Sequence, residues 1–172
     1  MRGTLFLVVG PSGAGKDSLI AAARAKLPKQ FAFPRRVITR RADASEDHDV
    51  CTDDEFARRD ARGEFGLNWR AHGLHYGVPA FEAALSAGQH VVVNVSRDVV
   101  DAARLRFDPV RVIEVTAPVE VLAARLKARG REDVAAIGER LARARVVEAD
   151  ATVLNDGALE AAVAAFIRAL QG

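Results

Sequence analysis

Seven consecutive residues, Gly10-Pro11-Ser12-Gly13-Ala14-Gly15-Lys16, fill the first seven places of a Walker A phosphate-binding loop. The chemistry requires these types. Glycines let backbone N–H groups turn toward phosphate oxygens, and the N-terminus of a following helix favours anions. The Lys16 ammonium can then reach the β- and γ-phosphates of a nucleoside triphosphate. With 13 Gly and 4 Lys in 172 residues, chance supplies Gly-x₄-Gly-Lys roughly 0.02 times. The eighth place normally holds the Ser or Thr whose hydroxyl binds Mg²⁺. Here it holds Asp17, followed by Ser18. A carboxylate is a good Mg²⁺ ligand, so Asp17 is the metal-binding candidate. The competing reading is a carboxylate that complements the dipole of a helix first turn.

Arginine supplies 21 of the 25 basic residues. Arg35, Arg36, Arg40 and Arg41 crowd into seven positions, and Arg125, Arg129, Arg131, Arg140, Arg143 and Arg145 into twenty-one. Planar guanidinium forks suit phosphate oxygens. One Trp, one Tyr and eight Phe give no evident stacking platform for single strands, and the net charge is only +2, so nucleic acid is not expected as a partner.

The elements that must position these groups follow from hydrophobic patterning. Thr4 to Val9 reads as a strand buried on both faces. A helix over Ser18 to Leu27 follows the glycine loop, and Ala32 to Ile38 reads as a second strand. Residues 40–48 are polar and aperiodic, which predicts a loop. Thr52-Asp53-Asp54-Glu55 predicts a capped helix ending before Gly63. Glu64 to Trp69 and Leu74 to Val78 read as short strands, and Pro79 to Gly88 as a helix. His90 to Val95 and Val110 to Thr116 are apolar strands, separated by a helix ending near Phe107. Helices are expected over Pro118 to Arg129, Asp133 to about Val147 and Ala158 to Leu170, with a last strand at Thr152 to Leu154. Apolar strands alternating with helices predict an α/β fold, a parallel sheet covered on both faces.

At 172 residues with 49% hydrophobic and 28% charged residues, the chain makes one globular domain. The single cysteine, Cys51, excludes an internal disulfide framework and a cysteine-based zinc site. No apolar run approaches the ~18 residues of a membrane helix. Leu5 to Val9 is too short for a signal core. A reduced, cytoplasmic, soluble protein without a membrane partner is the expectation.

In order and spacing, these motifs resemble the guanylate-kinase-like P-loop kinases over almost the whole chain. Thr39-Arg40 with Glu46-Asp47-His48 is similar to the entrance of that family's acceptor lobe. Gly63-Glu64-Phe65 and His72-Gly73-x-x-Tyr76-Gly77 fit its middle, Arg125-Leu126-x-x-Arg129-Gly130 and Arg140-Leu141 its lid, and Asn155-Asp156 its adenine-side loop. The resemblance implies a P-loop NTPase fold with an inserted acceptor lobe at about 39–88 and a lid at about 126–146. Guanylate kinases read guanine with a Ser, a Glu and a Ser or Thr after Tyr-Gly. Those positions hold Arg36, Leu67 and Val78. Asn94 and Ser96 stand where guanylate kinases carry Asp.

The departures are those of one branch. Gly-Pro-Ser-Gly-x-Gly-Lys-Asp-Ser, Ile38-Thr39-Arg40, Trp69-x-Ala71-His72-Gly73, Val93-Asn94-x-Ser96-Arg97, Arg129-Gly130-Arg131-Glu132 and Asn155-Asp156-Gly157 resemble the ribose 1,5-bisphosphate phosphokinases. Val95 departs from that pattern, which has Gly there. The resemblance implies ATP-dependent transfer to the 1-phosphate of ribose 1,5-bisphosphate, with Mg²⁺. Gly10, Pro11, Ser12, Gly13, Ala14, Gly15, Lys16, Asp17, Ser18 and Asn155 are then the nucleotide-binding set. Lys16, Arg129 and Arg140 form the catalytic set. Arg36, Arg40, His48, His72, Tyr76 and Ser96 become the acceptor contacts. Competing readings are a nucleoside monophosphate kinase, a non-catalytic guanylate-kinase-like binding module and a nucleic-acid-binding P-loop ATPase. The retained Lys16 and glycines argue against the binding module, and the modest net charge argues against the nucleic-acid ATPase.

Overall fold

A computed structural model of the chain describes residues 1–39, 47–128 and 146–172. Its centre is the run Leu5–Val9 (β1), in which every residue is buried. β1 is flanked by His90–Asn94 (β7) and Val110–Thr116 (β8), with Phe31–Ala32 (β2) and Ala151–Leu154 (β9) at the edges. The order is β2-β7-β1-β8-β9, and every pairing is parallel. Burial on both faces explains why these strands are apolar throughout rather than alternating.

Alternate residues of the strands feed two cores. On one face, Phe6, Val8, Val92, Ile113 and Val115 pack under Lys16–Lys26 (α1) and Leu159–Gln171 (α6). Helix α6 presents Val163, Phe166 and Leu170, each at most 3% exposed. Burying a side chain of this size contributes about 1.5–3 kcal/mol. On the other face, Leu5, Leu7, Val9, Val93 and Val112 pack against Leu85 of Glu82–Ser86 (α3) and Val100 and Ala103 of Val100–Arg106 (α4). This is the expected α/β architecture.

A second sheet stands beside the first. It joins His48–Val50 (β4), Arg36–Ile38 (β3), Leu74–Pro79 (β6) and Phe65–Ala71 (β5) in the order β4-β3-β6-β5. Asp53–Ala61 (α2) covers one side, where Val37, Cys51, Phe56 and Phe65 form a small core. Thr52 Oγ1 accepts from the Glu55 N–H at 3.2 Å, so the anticipated cap forms. The other side carries Leu67 and Val78 into the second core of the main sheet.

Several expectations change. The strand expected over Ala32 to Ile38 splits at Phe33-Pro34-Arg35: β2 belongs to the main sheet and β3 to the second. Proline lacks an N–H donor and interrupts a ladder. His48 opens β4, paired in parallel with Arg36, rather than ending a loop. Pro79 closes β6 rather than opening a helix, and the helix after it is the short α3. A 3₁₀ turn at Arg97–Val99 precedes α4. The helix expected from Pro118 is observed as Val119–Ala128 (α5), and residues 146–149 carry no regular structure. The helix expected from Asp133 lies largely outside the described residues.

Candidate functional site

The glycine loop runs from the end of β1 to α1. Gly10, Gly13 and Gly15 have φ of 146°, 84° and 89°, a region that L side chains rarely adopt. A Cβ on Gly10 would sit 2.0 Å from the Val115 carbonyl oxygen, and one on Gly15 would sit 2.4 Å from Asn155 Nδ2. Lys16 folds back so that Nζ donates to the carbonyls of Gly10 at 2.7 Å and Pro11 at 3.0 Å. The ammonium is thereby held against the loop, at the N-terminus of α1. A preformed concavity with a cation and a helix N-terminus is a site for a polyphosphate.

Two residues brace this loop from behind. Asn155 is 4% exposed and donates from Nδ2 to the Ala14 carbonyl at 2.8 Å. Arg125 of α5 donates to the carbonyls of Gly13 at 3.2 Å and Asn155 at 3.0 Å. Sequence reasoning put Asn155 at the adenine and Arg125 among the lid cations. In the structure Asn155's carboxamide and Arg125's guanidinium bond backbone carbonyls, and they fix the loop relative to β9 and α5.

Asp17 in the first turn of α1 is the hub of a polar cluster. Asn94, the last residue of β7, donates from Nδ2 to Asp17 Oδ1 at 2.8 Å. The Arg36 guanidinium approaches the same oxygen at 3.5 Å. The side chains of Asp17 and Arg36 are 45% and 14% exposed. They line a cleft with Arg24, Pro34, Asp47 and Asn94. An oriented, half-exposed carboxylate next to Lys16 fits Mg²⁺, which is commonly held by one or two carboxylates plus substrate phosphates. Among the described residues no group of three or more His, Cys, Asp or Glu gathers to hold a metal.

The second sheet carries Arg36, His48, His72 and Tyr76, four of the residues expected at the acceptor. Its inner face places Arg36 and Ile38 of β3 beside Tyr76 of β6 and Trp69 of β5. Trp69 and Tyr76 are cross-strand partners whose rings stack at 5.3 Å and 6°. Leu67 and Val78 are 3% and 0% exposed in the core between the two sheets. No base-reading group stands at either position. His72 and Gly73, with φ of 51° and 73°, form the exposed two-residue turn between β5 and β6. Gly77 lies under Phe65, where a Cβ would be 2.6 Å from the ring. Much of His72-Gly73-x-x-Tyr76-Gly77 therefore serves the hairpin. His48 is 3% exposed on β4. Its carbonyl accepts from Arg35, which also pairs with Asp47 and Asp49.

Ser96 caps the 3₁₀ turn, its hydroxyl donating to Asp98 Oδ2 at 3.2 Å and accepting from the Asp98 N–H at 3.4 Å. Next to it stands Arg97, which sequence reasoning did not select. It donates to Glu114 of β8 at 2.7 Å. The signal available was the adjacency of Arg97 to Asn94 and Ser96 at a strand end. Arg40, Arg129 and Arg140, expected at the acceptor and in the lid, lie outside the described residues.

Among the described residues, two groups carry displaced ionisation. Burial, with the Glu55 and Asp53 carboxylates, pushes the Cys51 thiol up against a smaller opposing effect of Arg59. Hydrogen bonds from Arg59 and then Arg62 hold the Glu64 carboxyl below its ordinary range. Both belong to the frame of the second sheet, away from the loop.

No protein-family model matches the chain. Among curated proteins it is 56% identical over 169 residues to a ribose 1,5-bisphosphate phosphokinase PhnN of Acidiphilium cryptum, covering 96% of this chain and 91% of the relative. It is 49% identical over 174 residues to the protein of that name from Methylobacterium radiotolerans, covering 99% of each. A bifunctional ribose 1,5-bisphosphokinase-thymidine phosphorylase of Cupriavidus necator is 47% identical over 175 residues, which are 98% of this chain and 29% of the relative. Among solved structures, a guanylate kinase from Anaplasma phagocytophilum superposes with a TM-score of 0.71 at 20% identity, covering 99% of this chain and 85% of that one.

Proposed function

Since the chain belongs to the ribose 1,5-bisphosphate phosphokinase family, we infer that it transfers the γ-phosphoryl group of ATP to the 1-phosphate of ribose 1,5-bisphosphate. The products are 5-phosphoribosyl 1-diphosphate and ADP. The observation that carries the reading is the pairing of a preformed phosphate loop with an acceptor sheet that has no base-reading group at Leu67 or Val78 and turns Arg36 toward Asp17.

In the transfer, an oxygen of the acceptor 1-phosphate forms a bond to the γ-phosphorus and the bond to the β–γ bridging oxygen breaks. The attacking oxygen is already anionic, so no general base is needed. Catalysis then rests on positioning and charge neutralisation. Lys16 faces the polyphosphate from the loop, and the backbone N–H groups of the loop line its oxygens. Asp17 would hold Mg²⁺, which supplies charge neutralisation across the phosphates when bound. Asn94 keeps the Asp17 carboxylate oriented, and Arg36 stands on the acceptor side of it. Arg40, Tyr76, His48, His72 and Ser96 complete the acceptor set, with Arg129 and Arg140 acting from the lid.

The test is a coupled ADP-release assay with ATP against ribose 1,5-bisphosphate, other phosphorylated sugars and nucleoside monophosphates. Preferred turnover of ribose 1,5-bisphosphate is the expected result. Preference for a nucleoside monophosphate overturns the reading.

A further inference from the structure

We propose that Arg97, oriented by Glu114, is a phosphate-binding residue of the acceptor site. The inference deepens the reading above and rests on it. Its ground is where the pair sits. Glu114 on β8 lies in register with Val9, the last residue of β1 before Gly10. Arg97 lies just beyond the end of β7, three residues after Asn94, which bonds Asp17. β1 runs between β7 and β8, so the Arg97–Glu114 bridge spans the end of the strand that delivers the phosphate loop.

The same turn is seated against the acceptor sheet. β5 packs on Arg97–Val99, and Val99 shares a core with Leu67 and Val78. Arg97 thus stands where the two sheets meet, on the face opposite Asp17. Val95 fixes this exit by donating its N–H to the Val8 carbonyl at 3.0 Å, and the Ser96 cap fixes the turn.

The chemistry of the pair points to a ligand. The Arg97 and Glu114 side chains are only 18% and 29% exposed, with 2.7 Å between donor and acceptor. A guanidinium carries five N–H donors in a rigid fork. Among the described residues Glu114 takes one of them. The carboxylate tethers one end of the fork and leaves the other donors for recognition of a phosphate. An acceptor with two phosphates and no base has need of such a group on each side of the ribose. Arg36 supplies one side, and Arg97 supplies the other.

The experiment compares R97Q, R97K, E114Q and R97Q/E114Q with wild type. Steady-state rates are measured with ribose 1,5-bisphosphate and ATP, and ADP affinity and Tm are measured alongside. R97Q is expected to raise the acceptor KM by about 10- to 100-fold, the loss of a charged hydrogen bond, with ADP affinity within about twofold of wild type. R97K should recover part of that loss. E114Q acts through Arg97, so it should raise the acceptor KM by less and add nothing in the R97Q background. A lowered Tm with unchanged acceptor KM in R97Q makes the pair a structural tie and overturns the proposal. If R97Q does not fold, an unchanged acceptor KM in both R97K and E114Q overturns it equally. Wild-type enzyme inert toward ribose 1,5-bisphosphate but active on another phosphorylated acceptor defeats the functional reading instead. Arg97 is then judged by the KM for that acceptor.

Discussion

The amide of Asn94, at the end of β7, donates to the Asp17 carboxylate in the first turn of α1 at 2.8 Å. The bond joins two of the positions, one in the phosphate loop and one at a strand end, at which the sequence departs from the guanylate kinase pattern. The negative charge sits on α1, and the strand contributes a neutral donor. Arg36 at 3.5 Å offsets part of that charge. Asp17→Ser should therefore change the Mg²⁺ midpoint of the reaction while nucleotide still binds. Asn94→Ala should move the midpoint in the same direction by less, since it frees the carboxylate without removing it. A Mg²⁺ titration of the rate, with nucleotide affinity measured beside it, tests both. Unchanged midpoints would confine Asp17 to the helix terminus.

Lys16 bonds the carbonyls of its own loop at 2.7 and 3.0 Å and stands at the N-terminus of α1. Replacing it with Ala removes the cation facing the polyphosphate. Turnover is expected to fall by about 10²–10³ or more, the scale for loss of one stabilising donor. The side chain is outside the apolar cores, so Tm should change little. Near-native turnover in a folded Lys16→Ala variant contradicts the assignment.

The glycine loop and the fold class were legible because their signals are local. Gly10 to Lys16 needs a fixed backbone shape, and apolar runs such as Leu5–Val9 and Val110–Thr116 need burial on both faces. What was not legible depended on contacts distant in sequence. Pro34 marks the point where one apparent strand is shared between two sheets, yet nothing near it names β6 as the partner of β3. Asn155 is marked as a nucleotide contact by the resemblance of Asn155-Asp156 to an adenine-side loop. Only the fold reveals that it braces Ala14, 141 positions away. Arg97 is legible only as the end of the Val93-Asn94-x-Ser96-Arg97 run, because Glu114, which bonds it, lies on another strand.

Leu67 is 3% exposed between the two sheets, with Val78 opposite it on β6. Its role is therefore tested by stability as well as specificity. Leu67→Ala should cost about 2–5 kcal/mol through lost transfer energy and the cavity left behind. At this chain length each kcal/mol lowers Tm by roughly 2–4 °C. Chemical denaturation checks the value. A change under about 0.5 kcal/mol, the range of ordinary surface positions, would remove Leu67 from the core.

Cys51 is 7% exposed in the small core with Val37, Phe56 and Phe65. Burial is the main cause of its raised pKa. The folded state thus favours the neutral thiol. The associated stability is complete below the ordinary value of 9.0 and is lost as pH rises through the raised folded value. Thiol labelling at pH 8 should be slow in the native protein and accelerate when denaturant opens α2. Labelling at the rate of a free thiol, without denaturant, contradicts this placement.

Acceptor choice follows from the same inner face. The positions that would read guanine hold Leu67 and Val78, which are buried in the core and cannot accept from its N1–H or N2–H groups. Burying those donors without a partner costs about 1–3 kcal/mol each, so two unpaired donors disfavour the base by roughly 10²–10⁴. With partial solvent access, discrimination of at least ~10³ in kcat/KM is expected for ribose 1,5-bisphosphate over GMP. Arg36 is 14% exposed and lies on the face shared with Tyr76. Arg36→Ala should therefore lower kcat/KM for the sugar bisphosphate more than it weakens ATP binding, and the ratio to GMP should narrow. The measurement is kcat/KM for both acceptors in wild type and variant, with ATP affinity determined separately. Equal efficiencies for GMP and the sugar bisphosphate in wild type would overturn the substrate reading. An Arg36→Ala variant impaired only toward ATP would assign that strand to the donor.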